Sequence, residues 1–143
     1  MGYRLTLALA LSALSGVAAA HHSFAMFDSD HQIRLTGKVT EFTWQNPHVY
    51  VHLQAKDPKG RLKDWTIECA NPGILNRAGW KFNMIKKDDQ LSVVVAPLRT
   101  GEPGALLKQV KLADGRLFSN GGPAGPPSIS IEDGTPLPAK AKP

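Results

Sequence analysis

At 143 residues, 42% of them hydrophobic and 20% charged, the chain has the size of one small folded domain rather than two. Its formal charge of +5 is spread along the sequence instead of gathered into a basic stripe, so nucleic acid is not an expected partner. Cys69 is the only cysteine, which excludes an internal disulfide.

Residues 1–20 carry the three parts of an export signal: Arg4 as the positive start, an apolar stretch from Leu5 to Leu14, and Ala18-Ala19-Ala20 as a small-residue cleavage site. The apolar stretch is shorter than the roughly 20 residues of a spanning helix, so no transmembrane segment is expected once the signal is removed. The alternative is a buried N-terminal helix. No cysteine follows the alanines to carry a lipid, and the expected destination is the bacterial periplasm. Losing Arg4 with the signal lowers the formal charge from +5 to +4.

Cleavage after Ala20 makes His21 the first residue, followed by His22. A free α-amine and the adjacent imidazole can close a chelate on one ion, as in a histidine brace. Cleavage one residue earlier gives Ala20-His21-His22, whose amine, amide and imidazole nitrogens suit square-planar Cu(II) or Ni(II). Donors of this kind favour copper. The competing reading is that histidines beside a signal are simply tolerated.

After the histidine-containing lead-in of residues 21–33, a barrel domain is expected over 34–118. Leu35 to Trp44 is rich in β-branched and aromatic residues and stops at Asn46-Pro47. Its alternation slips, with Leu35, Gly37 and Val39 on one parity and Phe42 and Trp44 on the other. One extra residue near Thr40-Glu41, a β-bulge, would keep all five on the core side. His48 to Ala55 alternates cleanly: Val49, Val51, Leu53 and Ala55 face one way, His48, Tyr50, His52 and Gln54 the other. Pro58-Lys59-Gly60 turns the chain. Lys63 to Ala70 follows, with Trp65, Ile67 and Cys69 apolar against Asp64, Thr66 and Glu68.

Asn71 is a good helix cap and Pro72 suits the first helical position. Ile74, Leu75 and Ala78 give the short helix its apolar face, and Gly79 stops it. Lys87-Asp88-Asp89 is a polar turn before Gln90 to Leu98, a strand with Leu91, Val93 and Val95 in the core. Leu106 to Leu112 is a further strand, and Asp114-Gly115 turns into the short Arg116 to Phe118. Ser119 to Pro143 holds six of the eleven prolines and four of the thirteen glycines, a composition expected to leave 119–143 as a disordered tail. Three strands, one short helix between strands 3 and 4, then two or three strands make a mainly β chain. Its expected fold is a small OB-like barrel of five or six strands.

The motifs His21-His22-Ser23-Phe24, Phe27-Asp28, Gly37-Lys38-Val39 and Trp44-Gln45-Asn46-Pro47-His48 can be set beside Trp65-Thr66-Ile67-Glu68, Leu75-Asn76-Arg77-Ala78-Gly79-Trp80 and Asp114-Gly115. Over about His21 to Phe118 the chain resembles a family of small exported bacterial proteins classed only as a domain of unknown function. Lys87-Asp88-Asp89 departs from the Gly-Asp turn common in that family. The resemblance implies an exported β-barrel and no established activity.

The hairpin between the second and third strands joins two core faces of odd parity, so paired positions sum to an even number near 116 or 118. Glu68 is therefore expected opposite His48 or Tyr50, and His48, Tyr50, His52, Thr66 and Glu68 form one polar-aromatic patch on the face that carries ligands in OB-like barrels. For a metal, copper foremost, the candidate ligands are His21, His22 and His48, with Glu68 as a ligand or as the acceptor that fixes the His48 ring. The competing reading of His48 is a turn histidine bonded to a nearby carbonyl. Tyr50, Glu68 and Trp44 are the candidate ligand-binding residues. Trp44 joins that face only if the bulge is absent; otherwise Trp44, Trp65 and Trp80 are core residues, each burying up to ~250 Å². Cys69 is read as a buried inert thiol.

No catalytic residue is assigned. The sequence has no Gly-x-Ser-x-Gly and no cysteine–histidine pair with an orienting third group. The expected function is a non-catalytic periplasmic binding protein, for an unidentified small ligand, a protein partner or a transition metal held at the mature N-terminus. The alternatives are a copper carrier or redox protein with a histidine brace, and a structural or interaction accessory.

Overall fold

The computed structural model describes residues 24–138. The expected signal over 1–20, His21 and His22 lie outside the described residues. β1 (Ile33–Thr43) is an eleven-residue strand that serves both halves of the sheet. Its C-terminal part pairs antiparallel with β2 (Tyr50–Lys56) and its N-terminal part with β4 (Gln90–Pro97). Gly37 stands where the two pairings overlap, opposite both Ala55 and Leu91. A side chain there would run into the Gln54 carbonyl, so glycine permits the close crossing. The parity slip is resolved by a bulge: Val39 pairs with Leu53 and Glu41 with His52, leaving Thr40 between them.

β3 (Leu62–Glu68) pairs with β2, and the sums of the paired positions are all 118, as in Tyr50 with Glu68 and His52 with Thr66. α1 (Pro72–Arg77) follows at once. The Asn71 side chain accepts from the Ile74 N–H at 2.9 Å, and Gly79 takes the left-handed conformation that ends the turn, with φ 89°. Leu75 and Trp80 are wholly buried against the barrel, and sealing Leu75 from water contributes about 1.5–3 kcal/mol. β5 (Gly104–Lys111) pairs antiparallel with β4 and parallel with β3. The sheet order β3-β2-β1-β4-β5 therefore closes on itself as a five-stranded barrel, and β6 (Leu117–Ser119) adds to the free side of β5. This is an OB-like architecture. Among the described residues no helix is long and apolar enough to cross a membrane.

The segment after β6 departs from the expected disordered tail. Residues 120–138 lie on the barrel, with one 3-10 turn at Gly122–Ala124 and a bridge between Ile129 and Pro136. The physical reason is β5, which is buried on both faces from Gly104 to Lys108. Ala105 and Leu107 point into the barrel core, while Leu106 joins Phe27, Ala96 and Ala124 in a second apolar cluster outside it. Lys108 reaches the Ala124 carbonyl and the Ser29 hydroxyl. Arg34 donates to the Ile131 carbonyl at 2.6 Å, and Lys111 pairs with Glu132 at 2.7 Å. Proline and glycine content describes how the segment travels, but the barrel supplies the surface that holds it.

Candidate functional site

The non-core face of the β2–β3 hairpin carries the expected patch. His48 precedes β2; Tyr50 and His52 alternate outward along it, facing Glu68 and Thr66 of β3. The rings of His48 and Tyr50 lie edge to face with centroids 6.4 Å apart, and the Tyr50 and His52 rings follow at 6.5 Å. Thr66 Oγ1 is 3.4 Å from His52 Nδ1. Burial, and after it the Glu68 carboxylate, push the Tyr50 phenol above its ordinary pKa. Tyr50 is therefore a neutral hydroxyl at physiological pH.

His48 has the most defined environment. Its Nδ1 lies 3.2 Å from the Cys69 carbonyl and 3.4 Å from Glu68 Oε1. A carbonyl oxygen can only accept, so Nδ1 carries a proton, and the tautomer this selects has its lone pair at Nε2. Nε2 has no hydrogen-bond partner among the described residues. A histidine held through one nitrogen by a carbonyl and a carboxylate, with the other nitrogen open, is oriented as metal-binding histidines usually are. The turn reading and the ligand reading thus share one geometry: the carbonyl bond orients the ring.

The two N-terminal histidines lie outside the described residues, but the segment that follows them is anchored at this patch. Phe27 is buried and bridges to Leu98, and the Asp28 amide donates to the Pro97 carbonyl at 2.7 Å. Arg99 binds the segment twice, its amide to the Met26 carbonyl and its Nε to the Ala25 carbonyl. The hydrogen bond from His31, with Arg99 nearby, holds the Asp28 carboxyl below its usual range against a burial that acts the other way. Phe24 consequently forms part of the wall of a cavity of about 170 Å³ together with His48, Glu68, Ile74 and Leu106. On the other side of Glu68, Met26 and Phe27 border a shallower cleft of about 160 Å³ that includes Tyr50 and Thr66.

Trp44 is not brought to this site. Because the bulge is present, Trp44 packs with Phe42 against the core, their rings 5.9 Å apart, and it lines neither opening. Its expected ligand role is corrected to a packing role. Cys69 is buried beneath the patch. Burial first, and then Glu68, push its thiol far above the ordinary range, so it is neither nucleophile nor metal ligand in this state. Sequence reasoning missed Asn120, whose Oδ1 accepts from the Ala70 amide at 2.7 Å and which lines the His48 cavity with Gly121 and Ala124. No local pattern distinguishes that asparagine from its neighbours; its burial depends on the segment folding back.

Residues 9–108 match the model of a family of unknown function, DUF6152, and the chain belongs to that family. No curated protein matches it. Among solved structures, the chain is similar to the mitochondrial single-stranded DNA-binding protein Rim1 of S. cerevisiae. The identity is 15%, with 58% of this chain and 93% of that chain covered and a TM-score of 0.43. A similarity that distant carries no argument about partners.

Proposed function

We propose that this chain is an exported, non-catalytic binding protein of the periplasm that takes up one Cu(II) ion at its processed N-terminus. The observation that carries the reading is His48, held through Nδ1 and lining a cavity to which Phe24 also contributes. His21 is three residues before Phe24, and an extended chain covers about 10 Å in three residues. Its α-amine and ring, with His48 Nε2, make an all-nitrogen set that suits copper over earlier divalent ions. His22 supplies a further imidazole. Glu68 acts through the His48 ring, which it shares with the Cys69 carbonyl. Among the described residues no three metal-ligating side chains form a cluster, so the reading requires the N-terminal donors and stands or falls with them.

Intact-mass measurement of the exported protein is expected to give His21 or Ala20 as the first residue. Calorimetry of that form is expected to give one Cu(II) per chain, with acetylation of the amine or His21→Ala abolishing uptake. Glu68→Gln weakens binding about 10- to 100-fold if the carboxylate orients the ring. Equal copper uptake by free and acetylated forms ends the metal reading.

A further inference from the structure

The cavity beside His48, about 170 Å³, is lined by both residues of the peptide unit that joins Cys69 to Ala70. Both polar groups of that peptide are engaged. Its carbonyl accepts from His48 Nδ1, and its N–H donates to Asn120 Oδ1 at 2.7 Å. In a trans peptide the C=O and N–H point in opposite directions, so His48 and Asn120 stand on opposite sides of it.

Asn120 is 1% exposed, and the Ala70 N–H settles which end of its amide is the oxygen. Its own backbone N–H donates to the Lys108 carbonyl at 3.1 Å. The residue is thus held from two directions. Its Nδ2 has no hydrogen-bond partner among the described residues. Nor is Nδ2 sealed: among the described residues the side-chain atoms buried without a partner are Asp28 Oδ1 and Trp65 Nε1. The surface that Nδ2 keeps opens on the cavity that Asn120 lines. A buried amide with a donor to spare calls for a specific cause.

The rest of the lining decides what kind of molecule could take that donor. Phe24, Ile74, Leu106 and Pro123 are apolar. A dry cavity of about 150 Å³ with walls of this kind holds benzene, so a single small ring fits. Among the described residues Glu68 also lines the cavity, whereas no lysine or arginine does. An anion would be buried there beside a like charge without a counter-ion. A hydroxyl, by contrast, can accept from an amide and donate to a carboxylate at once. We infer that this cavity binds a small neutral ring compound bearing a hydroxyl, of the phenol class. Asn120 Nδ2 donates to its oxygen, Glu68 accepts from its O–H, and the ring lies among Phe24, Ile74 and Leu106. The site does not rest on the copper reading, whose donors are the N-terminal amine and the imidazoles.

The test follows the side-chain amide resonances of isotope-labelled protein kept metal-free with a chelator. The Asn120 pair is identified through its contact with the Ala70 amide. Titration with phenol is expected to move that pair along a saturating curve. Benzene, which fills the space without an oxygen, is expected to bind about tenfold more weakly, and benzoate not to bind. Ile74→Trp, which fills the cavity from α1, is expected to abolish the response to both rings. His21→Ala is expected to leave the phenol titration unchanged, so this site and the copper site fail separately. Asn120 signals that stay fixed through the millimolar range would mean that water alone fills the cavity, and they overturn the inference. So does equal affinity for phenol and benzene, which leaves Asn120 without a part in binding.

Discussion

At the scale of single residues, Cys69 divides its groups between two environments. Its carbonyl faces outward and orients His48, while its thiol faces inward and is buried. Thiol reactivity follows the thiolate, and burial together with the Glu68 charge suppresses that form. A disulfide-exchange reagent such as dithionitrobenzoate is therefore expected to label the native protein only at the rate at which it opens, and to label it at once in denaturant. Prompt labelling under native conditions would contradict the packing of β3. Parity alone placed Glu68 opposite His48 or Tyr50, because both strands alternate and one face must be dry, and the register of the hairpin selects Tyr50. It could not reveal which nitrogen of His48 is engaged, since that depends on a carbonyl turned outward after β3.

Among the elements, β1 was the most legible in sequence and β5 the least. The slip between Val39 and Phe42 announced a bulge, and the bulge sends Trp44 to the core rather than to the ligand face. For β5 the pattern over 104–107 reads as one short apolar run, and an apolar run says that both faces are covered without saying by what. The cover is the N-terminal segment on one part and residues 120–138 on another. Gly37 offers a direct probe of the crossing that lets β1 serve two partners. Gly37→Ala presses a methyl group into the Gln54 carbonyl and the Ala55 side chain. Forced overpacking of this sort costs about 1–3 kcal/mol, and thermal unfolding should fall by roughly 4–8 °C for each kcal/mol in a domain of this size. An unchanged melting temperature would mean that β1 is not pinched between β2 and β4 at that point.

For the molecule as a whole, the open question is whether the segment beyond β6 belongs to the fold or merely rests on it. Ile131 and Ala124 are buried, and Lys108 is covered to the point that desolvation pulls its ammonium below the ordinary lysine range. The contacts run to two separate strands, through Arg34 of β1 and both Lys108 and Lys111 of β5, and to Gln32 just before β1, which accepts from the Ser128 amide at 2.8 Å. Ordering such a stretch costs chain entropy of about 1–2 kcal/mol per residue, so the burial and hydrogen bonds must exceed a large opposing quantity for it to stay down. A segment seated in ten molecules of eleven adds about 1.4 kcal/mol to the stability of the barrel beneath it. A chain ending at Asn120 keeps the bond from that side chain to the Ala70 amide and loses everything after it. It is expected to retain the strand signature in circular dichroism, to unfold roughly 5–10 °C lower, and to gain an apolar dye site where Leu106 and Phe27 are uncovered. Its copper affinity, measured beside that of the full chain, reports on the His48 cavity, because Gly121, Pro123 and Ala124 form one of its walls. If the shortened chain melts with the full one and binds no dye, the outer cluster contributes nothing and β5 is stable with one face open to water.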